Sequence, residues 1–175
     1  MDTRRLFLFG VLGGALMTVT LTFARAFGLA TNLELLLGTW VGIPPGLMAW
    51  LVGLGLHLAF AGLLGIVYGV AMERLPPHHG GWDVGMLYAI LHVFIAGSIL
   101  SALPEIHPYI PARLDEPGPF FASFGLMAVF LFIVSHLVYG AVVGEGVAST
   151  VRRAQRRATT TRHRGHGASS RNSSV

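Results

Sequence analysis

Three histidines carry most of the chemistry that this sequence offers. His57, His92 and His136 sit inside long apolar runs, where an ionisable side chain is costly and needs a partner or a function. His57 lies 17 residues before Arg74 and His136 lies 16 before Arg152, so the two should reach nearly the same depth. His92 is nine residues past Asp83, about 13 Å along a helix. Three readings follow. A neutral imidazole can bond a backbone carbonyl, Thr18, Thr20 or Thr22 across a helix interface, which makes it a packing residue. The set His57, His92 and His136 can form a midplane proton or substrate relay in a small homo-oligomeric transporter. His57 and His136, on facing helices, can bind a b-type haem axially as an electron-transfer subunit. The first reading asks least of the sequence, and glycine-dense helices favour close contact over a gap for a macrocycle.

The remaining polar residues offer less. The 104–118 loop holds Glu105, His107, Asp115 and Glu116, but their spacing fits no metal motif, and Pro104, Pro108, Pro111 and Pro117 mark a stiff surface loop. Glu34 and Glu105 read as solvated loop acids or as a symmetric pair outside the membrane, and His78, His79, His163 and His166 read as solvated. No Ser-His-Asp, H-E-x-x-H or P-loop pattern occurs, so no catalytic residue, metal or cofactor is expected, with haem b kept as the alternative.

The elements that must position these histidines are membrane spans. Of 175 residues, 53% are hydrophobic and 11% charged, with a mean hydropathy of +0.65; a soluble domain carries about 25% charged residues. There is no cysteine, which excludes disulfides, iron–sulfur clusters and Cys-ligated zinc. A bilayer core needs about 20 apolar residues of helix. Four stretches qualify, at about 6–27, 46–72, 84–103 and 120–147. Residues 33–41 (LELLLGTWV) are too few to cross; they read as an interfacial or re-entrant half-helix stopped by Pro44 and Pro45. Thr3-Arg4-Arg5-Leu6-Phe7-Leu8 resembles a twin-arginine export signal, but the apolar run after it is long enough to span, so a first transmembrane helix is the expectation.

All twelve basic residues are Arg. Arg4, Arg5, Arg74 and the seven between Arg152 and Arg171 fall on one side of four crossings, leaving Arg25 and Arg113 on the other. The positive-inside rule then puts both termini in the cytoplasm of a multi-pass cell-membrane protein. Arg25 should snorkel to the far interface.

The second and fourth spans resemble each other: His57-Leu58-Ala59-Phe60-Ala61 with Gly65 aligns with His136-Leu137-Val138-Tyr139-Gly140 with Gly144, at an offset of 79. The first and third match at an offset of 71, with Gly10 and Gly14 falling on Gly81 and Gly85. The chain thus reads as two tandem, parallel helical hairpins. Small residues recur every fourth position, including Gly14 in the first span, Gly65 and Gly69 in the second, Gly85 in the third, and Gly140 and Gly144 in the fourth. Such ridges let backbones approach in lipid, where nothing hydrophobic drives helices together. Ser and Thr on these ridges are expected to bond across helices. The segment His136-Leu137-x-Tyr139-Gly140-x-x-x-Gly144 resembles the end of the last span in a family of functionally uncharacterised prokaryotic four-helix integral membrane proteins. The resemblance covers about residues 6–147 and implies the fold alone.

Residues 1–150 are therefore expected to form an all-α, polytopic, four-helix transmembrane bundle, and 151–175 a basic, largely disordered cytoplasmic tail. Arg152, Arg153, Arg156 and Arg157 should lie on anionic headgroups. Beyond Ala158 the composition cannot build a core. No aromatic residue accompanies the tail arginines, so nucleic acid is not an expected partner. The expected function is a non-enzymatic or accessory membrane subunit, working in a homo-oligomer or a larger membrane complex.

Overall fold

Four apolar runs in this chain become four long helices, because a segment in hydrocarbon must satisfy every backbone N–H and C=O internally. The computed structural model describes residues 2–72, Arg74 and 81–171, with side chains as far as Arg153. Helix α1 runs Thr3–Ala26, α2 Leu33–Trp40, α3 Leu47–Met72, α4 Trp82–Ile106 and α5 Leu126–Arg171. A 3-10 segment, Pro119–Phe124, precedes α5. The described residues contain no strand, and α1, α3, α4 and the Leu126–Arg153 part of α5 are each long and apolar enough to cross a membrane. The chain is a multi-pass membrane protein built on a four-helix bundle.

Local chemistry sets the helix ends. Asp2 caps α1 by accepting from the Arg5 amide, and Asn32 caps α2 by accepting from the Leu35 amide, each satisfying an N–H that the first turn leaves free. The fourth span starts later than its apolar letters suggest. Phe120 and Phe121 adopt left-handed φ values of 56° and 63°, which are strained for bulky residues, so helix α5 begins only at Leu126. The reward is packing: the Phe120 ring lies over Gly97, and Phe121 is fully buried against Phe132.

Helix α1 packs on α3 and α5, α4 packs on α5, and α2 folds back onto α3; α3 and α4 barely meet. Each close crossing runs through glycine. A Cβ built on Gly65 would stand 2.6 Å from the Leu6 carbonyl oxygen, and one on Gly144 would collide with the Gly81 carbonyl and lie 2.8 Å from Gly85 Cα. Gly85 and Gly140 face each other carbonyl to Cα, so either side chain would strike backbone. Gly69 is buried on the same face of α3. Opposite these ridges, Leu8, Leu12, Leu16, Val19 and Phe23 of α1 point outward, the arrangement that lipid favours.

The hydroxyls depart from expectation. Thr20, Ser98, Ser135 and Thr150 donate to carbonyls three or four residues back in their own helices, which is the nearest acceptor in a dry helix. Thr18 Oγ1 has no partner among the described residues.

The expectations placed on His78 and His79 fall outside the described residues. So do those on the side chains of 154–175, His163 and His166 included. The α5 backbone runs helically as far as Arg171. At the end of the bundle where α4 begins, Arg152 pairs with Glu145; both are half exposed, so the pair contributes little to stability.

Candidate functional site

Helix α2 turns on Val41–Pro45 and returns against α3, where Gly38 sits on Ala49 and Gly53 on the Glu34 backbone. That contact pulls Glu34 off the surface. Its side chain is fully buried and pairs with Arg25, whose Nη1 donates to Glu34 Oε2 at 3.2 Å. Arg25 also donates to the Thr31 carbonyl at 3.0 Å and to Thr22 Oγ1 at 2.6 Å. Arg25 therefore turns inward onto α2 instead of snorkelling free, and Glu34 is not a solvated loop acid. Glu105 is exposed, so the two glutamates form no pair. No letter in the sequence marks Arg25 and Glu34 as partners. The signal was available only as an uncompensated acid and base flanking one short loop.

The 104–118 loop closes over α2. His107 is buried, and its Nε2 donates to the Leu36 carbonyl at 3.1 Å and contacts Thr39 Oγ1 at 3.2 Å. Tyr109 donates its hydroxyl to the Gly42 carbonyl at 3.0 Å. These bonds tie the loop to α2 and to the turn that follows it. His107 is thus a latch. Among the described residues no three His, Asp or Glu side chains converge as a metal-ligand set.

The intramembrane histidines meet around one cavity of about 280 Å³. His57 (α3), His92 (α4) and His136 (α5) all line it, with Tyr139, Phe132 and Ala96 beside them and Leu33, Leu36 and Trp40 of α2 above. The gap between α3 and α4 opens the cavity sideways. Phe60 and Ile99, 53% and 49% exposed, stand on the two helices that bound it.

Each ring is held by a different bond. His57 Nε2 lies 3.2 Å from the Gly14 carbonyl across the α1–α3 interface. A carbonyl only accepts, so Nε2 carries the hydrogen and Nδ1 keeps a lone pair. His136 Nδ1 donates to the Phe132 carbonyl one turn back at 2.7 Å, which leaves the lone pair on Nε2. His92 Nδ1 lies 3.5 Å from the Tyr68 hydroxyl, and its ring meets His136 edge to face at 4.8 Å. Tyr139 spans the bundle and donates to the Ala61 carbonyl at 2.6 Å. His57 bonds a carbonyl across a helix interface, as the packing reading expects, whereas His136 bonds one within its own helix, and no threonine serves.

The haem geometry is not favoured. The ring against His136 belongs to His92, in direct contact, and His57 is tied to α1 through Gly14, which itself abuts Ala61.

Sequence reasoning brought the three histidines to one level. It missed Tyr68 and Tyr139, whose hydroxyls complete the polar cluster; each immediately precedes a ridge glycine, Gly69 and Gly140, and that was the available signal. No family model, no curated protein and no solved structure matches this chain.

Proposed function

We propose that this chain is a non-enzymatic integral membrane protein of a prokaryotic cell membrane, an accessory or scaffold subunit whose intramembrane histidines hold helices together. One observation carries this reading: His57 commits a ring nitrogen to the Gly14 carbonyl across the α1–α3 interface of a glycine-packed bundle, while His136 is satisfied by the Phe132 carbonyl of its own helix. A neutral imidazole so bound satisfies a polar group where water is absent. Both termini are assigned to the cytoplasm by the arginine asymmetry.

A tandem origin for the two hairpins belongs to the same reading. Its support is the matching contacts: Gly65 meets Leu6 and Gly10, and Gly144 meets Gly81 and Gly85. A Cβ built on Gly14 would lie 2.5 Å from the Ala61 Cβ, and one on Gly140 would lie 2.6 Å from the Ala89 Cβ. These contacts pair Gly10 with Gly85 and Gly14 with Ala89, an offset of 75. That is about one helical turn from the 71 that the letters suggest, with the offset between α3 and α5 kept at 79.

The second reading, a relay through His57, His92 and His136 in a homo-oligomeric transporter, is favoured by the three rings sharing one cavity. The test is proton flux in proteoliposomes carrying an internal pH dye, with an absorption spectrum of the same sample. The packing reading expects no flux above protein-free vesicles and no Soret band. Flux abolished by His57→Ala would replace it with the relay. The chain has no native cysteine, so single cysteines at positions 2 and 113 report orientation. Labelling of position 2 from outside intact cells would overturn the assigned topology.

A further inference from the structure

We infer that the cavity between α3 and α4 is a binding site for a membrane-dissolved alcohol or phenol: a molecule with an apolar body, no charge, and a hydroxyl that donates to His136 Nε2. The inference goes beyond the packing role, which uses only the other nitrogen of each ring. Those two free nitrogens have no hydrogen-bond partner among the described residues. Both rings line the cavity.

The chemistry of the walls narrows the ligand. The lining is aliphatic and aromatic, with no carboxylate, guanidinium or ammonium group, so a charged head would pay its full desolvation cost there. Two lone pairs ask for a donor. A ketone or ether, which only accepts, would leave both unsatisfied, and a site built for a hydroxyl discriminates strongly against an analogue that lacks one. His92 offers the complementary donor: with its Nδ1 facing the Tyr68 hydroxyl, its Nε2 carries the hydrogen and can donate to the ligand oxygen. A hydroxyl can give its one hydrogen to His136 Nε2 and accept from His92 Nε2 on one of its two lone pairs.

Size and access point the same way. The 280 Å³ volume lies just below the range for whole drug-sized ligands, so it takes a ring or a short chain segment while the rest of the molecule stays in the bilayer. Entry is lateral, past Phe60 and Ile99. The outer route is closed by α2, which the Arg25–Glu34 pair and the His107 latch hold in place.

The experiment is equilibrium binding to the full chain in lipid nanodiscs. The probes are a tritiated para-alkylphenol and its O-methyl ether, which differ only in the donor hydrogen. The expected result is saturable phenol binding with the ether at least tenfold weaker. In His136→Phe that preference should shrink to under threefold, because the ring volume stays and the lone pair goes. Ala96→Phe, which fills the cavity and touches none of the hydrogen bonds, should abolish binding of both probes. Far-ultraviolet dichroism and the unfolding midpoint of each variant report folding separately. A failed bundle is thereby distinguished from a failed site, and Ala96→Phe serves if His136→Phe does not fold. Equal binding of phenol and ether to wild-type protein would overturn the inference, with an ordinary acyl chain then filling the gap. Absence of saturable binding to folded protein, or a phenol preference that survives in His136→Phe, would overturn it as well.

Discussion

The glycine contact between α4 and α5 allows the sharpest test of the fold. Gly140→Ala adds one methyl group. Built on the existing backbone, that carbon collides with the Gly85 carbonyl and comes within 2.6 Å of the Ala89 Cβ, where ordinary contact is about 3.5–4.0 Å. On the Gly85 side the obstruction is backbone, which cannot rotate away as a flexible side chain would. The helices must therefore part by about 1 Å over several turns, losing the dispersion contacts along the seam. Overpacking of this kind costs about 1–3 kcal/mol, and backbone on one side places Gly140→Ala near the top of that range, at about 2–3 kcal/mol. Gly85→Ala strikes Gly140 in return and should cost as much. The two changes press on one seam, so the double variant should cost clearly less than the sum, because the first substitution has already opened the gap. Gly55→Ala is the control: nothing lies within 4 Å of the added carbon, so a shift within about 0.5 kcal/mol is expected. Reversible unfolding in mixed micelles, titrated with a denaturing detergent and followed by dichroism, measures all four variants. If Gly140→Ala and Gly85→Ala unfold with the wild-type midpoint, or if their costs add fully, the close α4–α5 crossing is wrong.

Three further outcomes follow from single contacts. Arg25→Met leaves the Glu34 carboxylate buried without its partner and should destabilise by about 3–5 kcal/mol, whereas the double variant Arg25→Met with Glu34→Met should recover most of the loss; equal unfolding of single and double variants would refute the pairing. Tyr139→Phe removes the hydroxyl that reaches the Ala61 carbonyl and should cost about 0.6–1.5 kcal/mol in the same titration, and no change at all would mean that this bond contributes nothing. His107→Ala frees the Leu36 carbonyl, so amide hydrogen exchange in 33–42 should rise at least fivefold while α3 and α5 stay protected; unchanged exchange in α2 would refute the latch.

Composition and residue order were enough for the four crossings, the half-helix at 33–40 and the glycine faces, because in hydrocarbon the length of an apolar run and the need to satisfy its backbone leave one solution. The level of His57, His92 and His136 was readable from their distances to flanking charges for the same reason: a helix converts residue count into depth. What the letters could not give was rotation and register. Whether His57 reaches a threonine or the Gly14 carbonyl, whether His136 abuts His57 or His92, and whether Gly10 corresponds to Gly81 or Gly85 depend on how four rods turn about their own axes. A helix repeats its small residues every turn, so shifts of one turn look alike in sequence. Packing decides between them: here Gly65 meets the Leu6 carbonyl and Gly144 the Gly81 carbonyl. The Arg25–Glu34 pair and the late start of α5 at Leu126 are tertiary in the same sense: the first exists because α2 folds back onto Gly53, and the second because burying Phe121 and laying Phe120 over Gly97 outweighs the strain of two left-handed residues.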